Sequence, residues 1–117
     1  MTQQLFCQDL TRAIKTLEVI YRTRFADEKM KKLIRQNKGG TFHLCTAGHE
    51  MVGAVAASAL IPGKDWGLAY YRDRGFAIGI GCTLTEIIAA SLARDIPHHS
   101  SGRMMPEHFS HKELRLP

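Results

Sequence analysis

The stretch QDLTRAIKTLEVIYRTRFADEKMKKLIRQN, Gln8 to Asn37, decides the fold class. It holds no glycine or proline and is rich in Leu, Lys, Arg, Glu and Gln, a composition that favours helix. Leu10, Ile14, Leu17, Tyr21 and Phe25 recur at steps of three and four and draw one apolar stripe. Met30, Leu33 and Ile34 keep the spacing but fall on roughly the opposite face. Either the helix breaks near Asp27, or one long helix is covered on different sides along its length. Gly39-Gly40 is the expected left-handed stop.

Outward from this helix the elements shorten. Thr41 to Thr46 reads as a strand or an ordered loop. Ala47 to Ile61 is small and apolar, and a helix with so little polar face is expected to be buried at close range. Pro62-Gly63-Lys64-Asp65 is a turn, and Trp66 to Tyr71 a short extended segment. Thr83-x-x-Glu86 before Ile87, Ile88 and Leu92 is a capping box, which places a helix from about Leu84 to Arg94. The last 23 residues, Asp95 to Pro117, carry three prolines, four of the six histidines and no periodic stripe. Met104, Met105 and Phe109 in this irregular tail have no evident packing partner in the chain. The Ala-rich helix and the tail therefore ask for partners.

The whole chain, 117 residues, is one domain at most. Its 44% hydrophobic and 23% charged residues exclude disordered and collagen-like classes. Cys7, Cys45 and Cys82 are sparse and odd in number, so they form no disulfide framework and fit a reducing compartment. None has an adjacent His or Lys, and small core residues is the plain reading. No apolar run approaches the ~20 residues a membrane span needs, and no secretory signal is visible, so the expectation is a cytoplasmic protein. The net charge of +5 permits an anionic partner. Residues 12–38 carry nine Lys or Arg against Glu18, Asp27 and Glu28, but the charges alternate with the stripe. A solvated helix face fits them better than nucleic-acid binding.

Tyr70-Tyr71-Arg72-Asp73-Arg74-Gly75 is the most specific local feature. Arginine offers a planar fork of donors that matches phosphate oxygens, and tyrosine adds a hydroxyl donor. A helix starting just after them would add backbone donors. The same arginines could instead pair with Asp65 or Asp73. Gly75, Gly79 and Gly81 do not follow the dinucleotide-binding order, and close packing is the reading for them. His98, His99, His108 and His111 lack the spacing of a zinc site. His43 and His49 read as structural.

Taken together, Arg35-Gln36-Asn37-Lys38-Gly39, Ala47-Gly48-His49-Glu50, Pro62-Gly63-Lys64-Asp65-Trp66, Tyr70 to Gly75 and Gly102-Arg103-Met104-Met105-Pro106-Glu107-His108-Phe109 resemble a family. It is the alpha subunit of the thiamine-diphosphate-dependent decarboxylase component of 2-oxoacid dehydrogenase complexes, branched-chain (2-oxoisovalerate) type before pyruvate type. The resemblance runs from about residue 15 to 117 and is similar to the N-terminal part of that subunit. It implies an α/β parent fold that binds thiamine diphosphate between alpha and beta chains. This segment, residues 1–117, is expected to be mostly helical, with an extended piece near 66–71 and an irregular tail. The implied activity is decarboxylation of a 2-oxo acid with acyl transfer to a lipoyl domain. The implied partners are a beta subunit and the lipoyl-bearing acyltransferase, in a hetero-oligomer, with no nucleic acid and no membrane.

By the same resemblance Tyr71 and Arg72 contact the cofactor diphosphate, Tyr70 flanks them, Phe42 lines the pocket and His108 stands at its edge. No catalytic residue or metal ligand is assigned. The family's Gly-Asp-Gly and Asn-Asn magnesium motif is absent, so magnesium is implied for the parent protein only. The segment is expected to be a fragment that neither holds the cofactor tightly nor catalyses alone. The rival readings are a non-catalytic helical interaction module docking through the Ala-rich helix and, behind it, a basic nucleic-acid binder.

Overall fold

The computed structural model describes residues 2–40, 43–96 and 103–117. The long helix of the sequence forms without a break: α1 spans Thr2–Arg35. Thirty-four residues at 1.5 Å each make about 51 Å, so α1 alone sets the 54 Å long axis of the molecule. It stops at Asn37 rather than at the Gly39-Gly40 pair. Asn37 takes φ +53°, its N–H donates to Ile34 O at 2.9 Å, and the Lys38 N–H donates to Leu33 O at 2.9 Å. This is a Schellman closure with asparagine in the left-handed position, where its short polar side chain is tolerated.

The face of α1 that the rest of the chain covers is not the apolar stripe. Thr23, Ala26, Asp27 and Met30 are buried, whereas Leu10, Ile14, Leu17, Tyr21 and Phe25 lie outward, Phe25 at 64% exposure. Of the two alternatives, the unbroken helix holds, and among the described residues its most hydrophobic stripe is uncovered. Both polar residues on the buried face have partners: Thr23 Oγ1 donates to Val19 O at 2.8 Å within the helix, and Asp27 pairs with Arg74.

Three short helices pack on α1: α2 (Glu50–Ser58), α3 (Arg74–Ile80) and α4 (Leu84–Ser91). Helices α2 and α3 meet through small residues. A methyl at Gly53 would lie 2.6 Å from Phe76 N, and one at Gly79 would lie 2.5 Å from Ala57 Cβ. The Ala-rich helix is buried on this face only, since Met51, Val52 and Val55 face outward. Its small-residue face is thus filled by α3 and is not a free docking surface. The capping box of α4 forms as expected: Glu86 N donates to Thr83 Oγ1 at 3.2 Å and Thr83 N to Glu86 Oε2 at 2.6 Å. The helix ends at Ser91, short of Arg94, where Ala93 turns to φ +52°. Ser91 O accepts from Gly40 N at 2.9 Å, and a methyl at Gly40 would stand 2.3 Å from that oxygen.

The tail is irregular but not unpartnered. Phe109 and Leu116 are buried with Ile78, Ile80, Cys82 and Ile87, which corrects the expectation for Phe109. Met104 and Met105 stay exposed. The chain closes in an antiparallel bridge, His111 N to Leu116 O at 2.8 Å and Leu116 N to His111 O at 3.0 Å. Along 66–70 exposure alternates, with Trp66, Leu68 and Tyr70 outward and Gly67 inward. Its Gly67 N donates to Arg115 O at 3.1 Å, but no regular strand forms. Among the described residues the segment is helical and holds no sheet. No described helix is long and apolar enough to cross a membrane.

The α2–α3 contact yields a pair of expected outcomes. Gly53→Ala forces a methyl against the α3 backbone and is expected to cost about 1–3 kcal/mol of unfolding free energy. Val52→Ala, one residue away on the outer face, is expected to stay within about 0.5 kcal/mol. Urea midpoints at unchanged slope measure both. Equal effects would contradict the close helix contact.

Candidate functional site

The buried face of α1 is polar because it holds one end of a charge cluster. Arg74, at the start of α3, is fully buried. Its Nε donates to Glu107 Oε2 at 3.1 Å, and Nη2 donates to Glu107 Oε1 and to Leu44 O, the latter at 3.1 Å. Nη1 donates to Asp27 Oδ1 and to Thr46 Oγ1, the latter at 3.3 Å. All five guanidinium donors are therefore satisfied. Asp27 in turn accepts from Thr46 N at 3.2 and 3.1 Å, from Thr46 Oγ1 at 3.3 Å and from Cys45 Sγ at 3.1 Å. The cluster joins α1, loop 43–46, α3 and the tail.

Burial alone would raise the Asp27 carboxyl, but His43, Cys45 and Arg74 outweigh it and hold the group well below the usual carboxylate range. Glu107 goes the other way. Burial raises it above the ordinary value in spite of Arg74 and His43, with Asp27 adding to the rise. One cation between two buried carboxylates cannot compensate both, and Asp27 has the additional donors.

The predicted Tyr70–Arg72 segment lies immediately before Arg74, on the turn that leads into α3. Asp73 N donates to Tyr70 O at 2.8 Å and Tyr70 N to Asp73 Oδ2 at 3.1 Å, which closes the turn. The Tyr70 and Tyr71 rings stand 4.2 Å apart, and the Arg72 guanidinium lies 5.7 Å from the Tyr71 ring centre. Hydrogen bonding to Tyr71 raises the Tyr70 phenol above its ordinary value. All three side chains are exposed.

Among the described residues Arg72 makes no ion pair. Asp65 accepts from Ile61 N at 2.7 Å and Asp73 from Tyr70 N, so neither is the carboxylate partner that the sequence left open. The backbone donors expected from the following helix are not offered, because the first residues of α3 pack against α2: a methyl at Gly75 would lie 2.8 Å from Glu50 O. The Arg74–Glu107 pair brings the Tyr70–Arg72 turn and the segment around His108 to the two ends of one contact. His108 itself is exposed, its Nδ1 3.2 Å from Pro106 O. Phe42, His98 and His99 lie outside the described residues.

Other readings sort plainly. His49 is the N-cap residue of α2 without a side-chain cap bond. His43 is buried, its Nε2 3.2 Å from Asp27 Oδ1. Cys82 is a core residue whose thiol burial pushes up to about 12. Cys45 is not a core residue: it is half-buried and bonded to Asp27. The sequence offers Asp65 or Asp73 as carboxylate partners of Arg72 and Arg74, whereas Arg74 pairs with Asp27 and Glu107. A signal existed in Asp27, a carboxylate on the Thr23–Met30 face at helical spacing, and in Glu107, which sits inside a quoted motif.

A sequence profile of the dehydrogenase E1 component family matches residues 17–116. The chain belongs to this family. The 2-oxoisovalerate dehydrogenase subunit alpha of Bacillus subtilis (strain 168) is 36% identical over 101 residues, which cover 83% of this chain and 30% of that protein. The chain thus spans less than a third of that curated relative. No solved structure matches it significantly. The match takes in the Arg74 cluster and the Tyr70–Arg72 turn together, so both belong to the part of the chain shared with the dehydrogenase E1 component family.

Two outcomes follow from the cluster. Arg74→Met leaves two buried carboxylates without their cation and is expected to cost about 3–5 kcal/mol in urea unfolding. The pH dependence has opposite signs at the two ends. The Asp27 contribution is present above an unfolded Asp value of about 3.9 and is lost as pH falls. Glu107 binds its proton more tightly folded than unfolded. Its contribution is full below about 4.3 and fades as pH rises through the raised folded value. Glu107→Gln is therefore expected to lose less stability than the parent chain between about pH 4.3 and neutrality.

Proposed function

We propose that this chain is the cofactor-anchoring segment of the alpha subunit of a 2-oxoacid dehydrogenase decarboxylase component. The parent protein would decarboxylate a 2-oxo acid, 2-oxoisovalerate before pyruvate, and pass the acyl group to a lipoyl domain. Support comes from the family match, from the alpha-subunit relative, and above all from the turn: Arg72 is exposed, free of any carboxylate among the described residues, and two residues before a buried anchor.

Thiamine diphosphate, when bound, supplies the electron sink for decarboxylation. The residues of this chain bind and orient. Arg72 and the hydroxyl of Tyr71 fit the diphosphate oxygens as charge-assisted and neutral donors. Tyr70 backs Tyr71. Arg74 fixes the turn and lends no donor to a ligand, since all five are engaged. Phe42 and His108 belong to the pocket wall and edge in this reading. The sequence offers no Gly-Asp-Gly and Asn-Asn pair for magnesium, and no step here is derived through that ion. The alpha chain would work with a beta chain and an acyltransferase in the cytoplasm, and the 117-residue segment alone would be inactive.

NMR titration of the chain with thiamine diphosphate tests the anchor. Weak binding is expected, with amide shifts confined to Tyr70–Arg74, and Arg72→Gln should weaken it about tenfold, the effect of losing one hydrogen bond to a charged group. Shifts centred elsewhere, or an unchanged affinity in the variant, would remove Arg72 from this role.

A further inference from the structure

The charge cluster contains one group that the fold does not explain. The His43 side chain is only 8% exposed, and its Nε2 has no hydrogen-bond partner although it lies 3.2 Å from Asp27 Oδ1. A buried polar nitrogen left in this state is desolvated without compensation and requires a reason. Two residues on, Cys45 Sγ stands 3.1 Å from the other Asp27 oxygen. The three ligand atoms, one nitrogen, one sulfur and one oxygen, all lie within 4.8 Å of one another.

We propose that His43, Cys45 and Asp27 form a binding site for a divalent transition cation of the zinc class. Zinc takes nitrogen, sulfur and carboxylate oxygen together at about 2.0–2.3 Å, which sets ligand atoms roughly 3.3–3.7 Å apart around it. The two closest separations, 3.2 Å from Nε2 to Asp27 Oδ1 and 3.1 Å from Sγ to Asp27 Oδ2, are slightly shorter than this, and no ligand pair exceeds 4.8 Å. Arg74 engages Asp27 through Oδ1, so Oδ2, which faces Cys45, is the oxygen for the metal. Thr46 N also donates to Oδ2 at 3.1 Å and keeps it oriented.

Charge favours the same occupant. With both carboxylates ionised, Asp27, Glu107 and Arg74 leave the buried cluster at one negative charge. On binding, the Cys45 thiol gives its proton to solvent and the sulfur bonds the metal. The dication and the thiolate together add one positive charge, and the cluster reaches neutrality. Three protein ligands leave one coordination position for water. Cys45 is the half-buried member and marks the side from which an ion enters. A thiol–carboxylate hydrogen bond alone would account for Cys45 but would leave the buried His43 Nε2 without a partner.

The test uses the 117-residue chain with the metal alone, in a non-chelating reductant. Cobalt(II), a spectroscopic stand-in for zinc, is expected to bind one to one with a thiolate charge-transfer band. Cys45→Ser should abolish that band, His43→Gln should weaken binding at least about tenfold, and Cys7→Ser should change neither. A measurement on the parent chain alone stands beside these variants, in case one fails to fold. Equimolar zinc should slow alkylation of Cys45, mapped by mass spectrometry, at least about tenfold. Absence of a thiolate band in the parent chain, persistence of the band in Cys45→Ser, or alkylation of Cys45 at an unchanged rate with zinc would overturn the site. Thiamine diphosphate takes no part, so these outcomes are independent of the cofactor reading.

Discussion

Everything in this small fold is arranged around the guanidinium of Arg74. It sits in the interior between Asp27 of the long helix and Glu107 of the tail, with Leu44 and Thr46 completing its donor set. Other long-range links include the close α2–α3 contact and the bonds from Gly40 N to Ser91 O and from Gly67 N to Arg115 O. Helix α1 is long and α2 is short, and among the described residues the tail has no regular element beyond one bridge. A buried arginine satisfied on every side specifies position more sharply than apolar contact, because each donor has one direction in which it can be used. The arrangement that results is not the most stable conceivable, since a hydrophobic substitute for such a cluster is often as stable. Its value lies in placing four remote segments in one register.

That register is what the ligand-facing turn inherits. Tyr71 and Arg72 are exposed, yet they precede the anchored residue by only three and two positions. The anchor restricts how far the turn can move without withdrawing an arginine from two carboxylates. Binding groups on a surface loop are usually held by the scaffold beneath them, and here the scaffold is electrostatic.

How much of this was legible beforehand differs element by element. The long helix, the capping box at Thr83 and Glu86 and the helical character of the segment follow from local chemistry and were readable. The orientation of α1 was not. Its stripe of Leu10, Ile14, Leu17, Tyr21 and Phe25 is the stronger hydrophobic signal, but the covered face is the one with Thr23 and Asp27. Periodicity identifies a face and cannot say that a buried arginine 47 residues away will select the other. The tail was misjudged for a related reason: Phe109 and Leu116 reach the core through an irregular path that carries no period. The turn at Tyr70–Arg72 was found through a motif, while Arg74 in the same motif was passed over as one more arginine. Burial is a tertiary property, and nothing in the local sequence separates a buried arginine from an exposed neighbour.

The length of α1 has a dynamic consequence. The helix is about as long as the molecule, yet its fully buried residues begin only at Thr23. Before that point Thr16, Val19 and Ile20 are half-covered, and the described positions from Asp9 to Lys15 face solvent. A helix with so little packing is held chiefly by its own backbone ladder, which is marginal in water. Amide protons in the first turns therefore exchange through fraying, and those from Thr23 to Met30 only when the charge cluster opens. One continuous element thus contains a steep gradient of local stability, and the boundary falls where its fully buried residues begin.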